Sequence, residues 1–230
     1  MEILAIIPAR GGSKSVPRKN IKLIGGKPLI NYTIESAINC KHITRTIVST
    51  DDQEIADIST LAGAQVPFLR PKYLATDTAG TSDVVLDLIE WLKRNENYTP
   101  DFICVLQCTT PMRSTEDIEG CIQKCIGDDC EYDVCFSVCE TESSPYWMKT
   151  FSGGKLVPFL DATTIARRQD LPKVYELNGA VYVVKTSALV RSQTMHIQNV
   201  TGYVMPQYRS LDIDTPLDFE IAKMIMEKYL

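Results

Sequence analysis

A short stretch near the amino terminus combines the residue types that bind a chain of phosphates. Residues 8–20 read Pro-Ala-Arg-Gly-Gly-Ser-Lys-Ser-Val-Pro-Arg-Lys-Asn. Gly11 and Gly12 let main-chain N–H groups approach an anion closely, while Arg10 and Lys14 supply forked and point positive charges. The chemistry indicated is the binding of a polyphosphate.

Positive charge is concentrated around this stretch. Residues 1–30 have a local balance of +5, whereas the rest of the chain carries −10, which gives the total of −5. A protein that binds the nucleic-acid backbone in general needs a broad basic surface, and an acidic chain with one short basic region does not fit. We therefore expect a small polyphosphate ligand and no nucleic-acid partner.

Two carboxylates near the carboxyl terminus suit a divalent cation. Asp212 and Asp214 are one residue apart on a predicted strand, where this spacing directs both side chains to one face. Mg²⁺, or Mn²⁺ in its place, could lie between them and the phosphates. Alternatively, the pair belongs to a turn and the start of a helix, because Asp214 adjoins the capping residue Thr215.

Strands and helices alternate along the chain and must position these groups. The predicted strands are residues 3–7, 46–49, 102–106, 133–139, 180–184 and a segment ending near residue 204. Apolar stripes predict the helices, with Pro28 opening the first and Ser114 and Asp117 capping a later one; Ile38 and Leu61 are assigned to buried faces. This order predicts one α/β domain over residues 1–230, with a Rossmann-like, mostly parallel sheet covered by helices on both faces.

Residues 141–178 interrupt the alternation with several prolines, glycines and aromatic residues. We interpret this segment as an inserted arm, which commonly serves a partner subunit or a lid, and expect a homodimer. Asn178 and Gly179 predict a turn into the following strand.

Composition and spacing argue against several other classes of protein. Neither a signal peptide nor a run of roughly 20 apolar residues is present, so we expect a cytoplasmic protein without a membrane partner. The eight cysteines include no C-x-x-C pair, and Cys121 and Cys125 follow the apolar spacing of a helix, which indicates core packing. Two histidines and no G-x-S-x-G segment make a Ser-His-Asp triad a poor candidate.

The phosphate loop matches neither G-x-x-x-x-G-K-[ST] nor G-x-G-x-x-G. Residues 8–20 instead resemble the nucleotide loop of the acylneuraminate cytidylyltransferases, the CMP-sialic acid synthetases. Five further sets of residues occur in the family's order. They are Ser49-Thr50-Asp51-Asp52 with Glu54-Ile55-Ala56, Arg70-Pro71 with Leu74-Ala75-Thr76-Asp77, Leu106-Gln107 with Pro111 and Arg113, Asn178-Gly179-Ala180, and Asp212-Ile213-Asp214-Thr215.

This resemblance covers essentially the whole chain and implies both a fold and a reaction. The fold is that of the nucleotide-diphospho-sugar transferases, with an inserted dimerisation arm. The reaction transfers CMP from CTP to the anomeric hydroxyl of a nine-carbon 2-keto sugar acid, a nonulosonic acid, and releases pyrophosphate. N-acetylneuraminate, legionaminate and pseudaminate are the candidate acceptors.

The resemblance also implies roles for individual residues. The catalytic residues would be Lys19, Arg10, Asp212 and Asp214, of which Asp212 and Asp214 would hold the metal. CTP would be bound by Arg10, Gly11, Gly12, Ser13, Lys14, Lys19, Asn20, Arg70 and Thr81. The sugar acid would be bound by Gln107, Lys149, Arg168 and Asn178, with the cations at 149 and 168 reaching it across the dimer.

Departures from the family's pattern leave the acceptor open. Glu176-Leu177-Asn178 stands where several sialic acid enzymes have an arginine shortly before Asn-Gly-Ala, and Cys108 stands where many have proline. The enzymes for 3-deoxy-octulosonate have Leu-Pro-Gly-Lys where this chain has Val-Pro-Arg-Lys, so they match less well. Two further functions would suit the same fold: a nucleotide-binding regulatory protein without turnover, and a nucleotidyltransferase for a sugar phosphate.

Overall fold

A six-stranded mixed sheet forms the centre of the molecule, in a computed structural model that describes residues 1–126, 131–141, 143–160, 167 and 171–229. The strands are β1 (Ile3–Pro8), β2 (Leu23–Ile24), β3 (Lys27–Pro28), β4 (Arg45–Ser49), β5 (Phe102–Leu106), β6 (Val134–Glu140), β7 (Lys149–Ser152), β8 (Lys155–Pro158), β9 (Tyr175–Lys185) and β10 (Val200–Val204). The α-helices are α1 (Leu29–Ile38), α2 (Gln53–Leu61), α3 (Thr81–Glu96), α4 (Thr115–Ile126), α5 (Thr186–Ser192) and α6 (Pro216–Tyr229).

The central sheet has the order β10-β6-β9-β5-β1-β4. β9 runs antiparallel to both of its neighbours, β5 and β6, and the other neighbouring pairs are parallel. The predicted α/β class with a mostly parallel sheet is therefore confirmed. β2 with β3 and β7 with β8 form two separate hairpins.

Helices cover both faces of the sheet, as the near-continuous apolar strands require. Alternate residues of β1 enter different cores: Ile7 packs with α1, α2 and α4, whereas Ile6 packs with α3 and α5. Cys121 and Cys125 are buried in the first of these cores, which confirms their predicted packing role. Of the helices in the described ranges, none is both long and apolar enough to cross a bilayer.

Three predicted details of the helices are wrong. Ile38 and Leu61 are 48% and 89% exposed instead of buried. Each is the last residue of its helix, and Leu61 lies about 200° around α2 from the buried Ser59, at about 100° per residue. Pro28 is the N-cap of α1 and not its first residue. It belongs to β3 and lies opposite Leu23 of β2, where its missing N–H does not disturb the short hairpin.

The boundary of the predicted arm also changes. β9 begins at Tyr175, so the last four residues of the predicted segment belong to the central sheet. Asn178 and Gly179 lie inside β9 at a β-bulge, marked by a shift of pairing between Phe136 and Val138 of β6, and not at a turn. Gly179 has φ +70°, which only glycine adopts readily, and this explains the turn-like sequence within a strand.

An ion pair connects the start of α4 to the chain that leads into α6. Arg209 donates from Nε and Nη2 to both carboxylate oxygens of the fully buried Asp117, at 2.9 and 3.0 Å. Asp117 Oδ2 also accepts bonds from Ser114, which confirms the predicted capping interaction. One carboxylate thus fixes both a helix start and the segment before residue 210.

Replacing Asp117 by alanine is expected to lower the free energy of unfolding by about 3 kcal/mol, because it removes the carboxylate half of the capping box and leaves a half-buried arginine without its partner. Urea unfolding at pH 7 measures this difference. Glu116→Ala changes the exposed neighbouring carboxylate and is expected to have a much smaller effect. Equal midpoints for the two variants would show that the ion pair contributes little.

Candidate active site

The candidate active site is a cleft of about 460 Å³ at the carboxyl ends of β1 and β5. In the central sheet, β1 lies between β4 and β5. β4 is the next strand of this sheet along the chain, and β5 lies on the other side of β1. Such a switch point in a parallel region opens a crevice in which ligands commonly bind. The loop after β1 and the segments before α3 and α6 complete the walls.

The loop after β1 is held by backbone and side-chain hydrogen bonds. Gly11 N donates to Asp51 Oδ1 at 3.0 Å, and Asn20 Nδ2 donates to the carbonyl of Arg10 at 3.0 Å. A Cβ at Gly11 would lie 2.7 Å from Asp52 Oδ2, so only glycine permits this close approach to the start of α2. The loop is therefore positioned by the β4–α2 connection before any ligand binds.

Arg10 and Lys14 line the cleft and share one carboxylate. Arg10 Nη1 lies 2.7 Å from Asp77 Oδ1, and Lys14 Nζ pairs with Asp77 Oδ2. Hydrogen bonds from Lys14 and Arg10 hold the pKa of the Asp77 carboxyl below its usual value. A phosphate chain that entered the cleft would compete with Asp77 for both cations.

Lys19 and Arg70 place positive charge in the buried wall of the cleft. Lys19 is 9% exposed; its Nζ donates to the carbonyl of Ile213 and lies 3.8 Å from Asp214 Oδ1. Arg70 is 6% exposed, with Nη2 3.9 Å from Asp51 Oδ1, and burial lowers its pKa. Charges held in this way are poorly screened by water and act strongly on a bound anion.

Asp212 and Asp214 both line the cleft, although the predicted strand through them is wrong. Residues 211–214 form an irregular segment, in which Ile213 N donates to the carbonyl of Thr109 at 2.8 Å. The Ile213 side chain is fully buried in a core with α6. Because Ile213 anchors the segment on that side, the flanking aspartates are left on the side of the cleft.

Asp212 has the features expected of a cation ligand. Its Oδ1 is buried and makes no hydrogen bond of good geometry within the described ranges. Burial raises the pKa of this carboxyl, and the nearby Thr109 side chain lowers it by a smaller amount. No group of three or more His, Cys, Asp or Glu side chains in the described part of the chain could hold a metal. The protein would therefore supply Asp212 and Asp214, leaving phosphate and water oxygens to complete the oxygen shell that Mg²⁺ prefers.

Most of the predicted site residues converge on this cleft. Those that line it are Arg10, Ser13, Lys14, Lys19, Asn20, Arg70, Thr81, Gln107, Asp212 and Asp214. Gly11 and Gly12 shape the loop without lining the cleft. Gln107 lies close to Asp212, since the side chains of both would be 3.8 Å from a Cβ built at Gly179.

Of the other three predicted sugar-binding residues, two lie outside this cleft and the third is not described by the structure. Lys149 is exposed on β7 and does not line the cleft, and Arg168 falls outside the described residues. Asn178 is buried: its amide accepts a bond from Ser137 and donates to Ser210 at 2.9 Å. It helps to fix the β-bulge and lines a second cleft, which meets the first at Asp212.

Sequence reasoning did not identify three residues that contribute to the site. Asp51 positions the glycine loop, Asp77 pairs with its cations, and Thr109 contributes to the wall beside Asp212. Asp51 and Asp77 both stand in segments that match the family, and that match is the signal by which they could have been found.

Arg18 occupies a left-handed conformation, φ 55°, at the end of the loop and pairs with Asp52 and Glu54. These side chains raise its pKa, and the hydrogen bonds that Arg18 donates to Asp52 make the largest contribution. The ion pairs offset the strain that a side chain incurs at a positive φ.

Arg18→Gly is therefore expected to be more stable than Arg18→Ala by about 1 kcal/mol, because both lose the ion pairs but only glycine relieves the backbone strain. Denaturant unfolding of the two variants side by side gives the comparison. Alanine equal to or more stable than glycine would contradict the left-handed assignment.

The sequence of this chain matches a known family along nearly its whole length. A model of the cytidylyltransferase family matches residues 4–228. The chain belongs to this family. The resemblance predicted from its loop and spaced motifs is thereby confirmed.

Two relatives of this cytidylyltransferase share about a third of its sequence over nearly the full length. A CMP-N,N'-diacetyllegionaminic acid synthase of Legionella pneumophila is 33% identical over 99% of the chain and 97% of the relative. A pseudaminic acid cytidylyltransferase of Campylobacter jejuni is 34% identical over 98% of the chain and 96% of the relative. A solved CMP:2-keto-3-deoxy-manno-octonic acid synthetase complexed with CTP matches with a TM-score of 0.72 at 18% identity over 100% of both chains, which supports the fold.

Proposed function

We propose that this cytidylyltransferase transfers CMP from CTP to the anomeric hydroxyl of a nonulosonic acid and releases pyrophosphate. The observation that carries the proposal is the convergence, in one cleft, of the loop cations with the Asp212 and Asp214 carboxylates. The relatives named for legionaminic and pseudaminic acid support this class of acceptor. A requirement for CTP also fits a cytoplasmic enzyme.

The cations divide naturally between the two ends of the triphosphate. Arg10 and Lys14, now paired with Asp77, are suited to hold the phosphates that leave as pyrophosphate. Lys19, buried beside Asp214, is suited to offset charge that develops around the α-phosphorus during attack. Asp77 would be released when the phosphates take its place.

A divalent cation fits the remaining part of the site. Asp212 and Asp214 would hold Mg²⁺, or Mn²⁺ in its place, and the bound ion would neutralise charge on the phosphate oxygens. The unpartnered, buried Oδ1 of Asp212 supports this assignment. A nucleotide-binding protein without turnover has less need for such a carboxylate than an enzyme does.

Direct displacement by the acceptor hydroxyl is the reaction course that this site supports. Its described lining residues include neither cysteine nor histidine. Cys108, close by in sequence, is buried, and burial raises the pKa of its thiol to about 12. A covalent enzyme intermediate would need an activated nucleophile, and neither feature supplies one.

We further propose a homodimer formed through the hairpin of β7 and β8. Phe151, Leu156 and Phe159 are 77%, 60% and 62% exposed on or beside this hairpin, a cluster of apolar side chains that association would bury. Lys149 lies on the same hairpin and would then be able to reach the acceptor site of the other subunit. Sedimentation velocity of the wild-type protein and of Phe151→Ser tests the proposal; equal monomer fractions would contradict it.

Pyrophosphate release tests the reaction itself. Wild-type protein with Mg²⁺ is offered CTP, ATP, GTP or UTP together with N-acetylneuraminate, legionaminate, pseudaminate, 3-deoxy-octulosonate or a sugar 1-phosphate. We expect release only with CTP and a nonulosonic acid. CTP binding without release for any acceptor would favour a regulatory protein without turnover, and activity with sugar 1-phosphates would change the acceptor class.

A further inference from the structure

A second cleft, of about 570 Å³, adjoins the candidate active-site cleft, which we call the triphosphate cleft, and has the opposite electrostatic character. The two clefts share Asp212 as a wall residue. The described lining of the second cleft contains two carboxylates, Glu176 and Asp212, and no lysine, arginine or histidine. Repulsion by these carboxylates would disfavour the triphosphate here, and also the acceptor's own carboxylate, which adjoins its anomeric carbon. The cleft is therefore suited to the uncharged part of the acceptor that lies farther from that carbon.

Glu176 projects into this cleft from β9, and a buried thiol orients it. Cys139 on the neighbouring β6 is 4% exposed, and its Sγ donates to Glu176 Oε1 at 3.5 Å. Residues 139 and 176 are directly opposite each other in the antiparallel pairing of β6 and β9. The sheet therefore fixes the position of the Glu176 backbone, although its side chain is exposed.

The distance from the reaction centre suits the length of a nonulosonic acid. A Cβ at Gly179 would lie 3.8 Å from Asp212 Oδ2, which places that residue of β9 beside the proposed metal ligand. Glu176 is three residues away, which is at most about 10 Å at about 3.3 Å per residue, because the β-bulge at Asn178 and Gly179 interrupts the extended strand. An acceptor with its anomeric hydroxyl near Asp212 would thus bring its far end, ring substituents or side chain, to Glu176.

We propose that Glu176 is a specificity-determining residue that accepts hydrogen bonds from N–H and O–H groups on the part of the acceptor remote from its anomeric hydroxyl. This inference rests on the proposed function. An ionised carboxylate only accepts hydrogen bonds, so it favours acylamino and hydroxyl groups and disfavours an acidic or donor-free group at that place.

The experiment pairs a protein variant with matched acceptors. Wild type and Glu176→Ala are assayed with one accepted nonulosonic acid and with analogues in which a single N–H or O–H is replaced by N-methyl or fluorine. We expect one analogue to lower kcat/KM of the wild type about tenfold, the size of a lost hydrogen bond to a charged group, and to leave that of Glu176→Ala nearly unchanged. The KM for CTP should be the same in both.

Glu140→Ala is the matched control, because Glu140 is an exposed carboxylate of β6 that lies opposite Tyr175 and lines neither cleft. It should respond to the analogues as the wild type does. Equal losses of kcat/KM in wild type and Glu176→Ala for every analogue would overturn the inference. A Glu176→Ala variant that changed only the dissociation of the dimer would overturn it as well. Failure of the wild type to use any nonulosonic acid would instead overturn the proposed function, and this inference with it, before any variant is compared.

Discussion

Asp212→Asn is expected to lower turnover by about two to three orders of magnitude, the range found when one preorganised charge-stabilising group is removed from an active site. The substitution keeps the size of the side chain and removes the negative charge that a divalent cation needs. Only Asp214 then remains of the two carboxylates that are proposed to hold the metal. Initial rates of pyrophosphate release at saturating CTP and metal give the comparison.

The same variant is expected to be at least as stable as the wild type without metal. Burial raises the pKa of Asp212 above its value in the unfolded chain. Between these two pKa values, the folded state retains a proton that the unfolded state has lost. This contribution to stability is present at low pH and is lost as the pH rises from the unfolded pKa through the folded one. At neutral pH the buried, ionised carboxylate lowers the stability of the folded state, and asparagine carries no such charge.

Thermal unfolding at pH 7 without metal measures this second effect and shows at the same time that the variant is folded. Glu220→Gln, an exposed carboxylate of α6, is the matched control and should change neither rate nor stability. A wild-type rate in Asp212→Asn would mean that the metal or the reaction lies elsewhere. A large fall in its melting temperature would show that the carboxylate has a structural role.

The parts of the site that share one short segment could be predicted from sequence. Residues 8–20 carry their own chemistry, since glycines, cations and a nearby strand end all point to phosphate binding. The strand at residues 102–106 has the predicted bounds, because its buried apolar run ends at a polar residue, Gln107. Local composition is sufficient in both places.

Contacts between distant segments could not be predicted in this way. Asp77 pairs with Arg10 and Lys14 across more than 60 residues of sequence, and no local pattern marks such a pairing. The first residues of β9 escaped detection because Asn178 and Gly179 resemble a turn, which made the strand appear to begin after them. The proposed role of Lys149 across a dimer came only from the resemblance to the family, and the contacts within one chain do not test it.

Lys19→Ala is expected to remove at least about 99% of turnover, by the same electrostatic argument, while leaving the fold intact. Lys19 is the buried cation of the cleft that contacts the aspartate segment, through the Ile213 carbonyl and within 3.8 Å of Asp214. Its removal therefore takes away positive charge at the place where the loop and the metal carboxylates meet. Arg10 and Lys14 lie beside Asp77 instead and are assigned to the leaving phosphates, so we do not expect them to replace it.

Pyrophosphate release with saturating metal measures the rate, and equilibrium binding of CTP shows whether the loss lies in the ground state or in turnover. Because charge develops around the α-phosphorus during attack, we expect a larger loss in kcat than in CTP affinity. Lys22→Ala is the control: this exposed lysine lies three residues further along the chain and contacts the ring of Phe219, outside the cleft. Wild-type turnover in Lys19→Ala would show that the buried lysine takes no part in the reaction. It would also contradict the proposal that the glycine loop and the two aspartates form one active site.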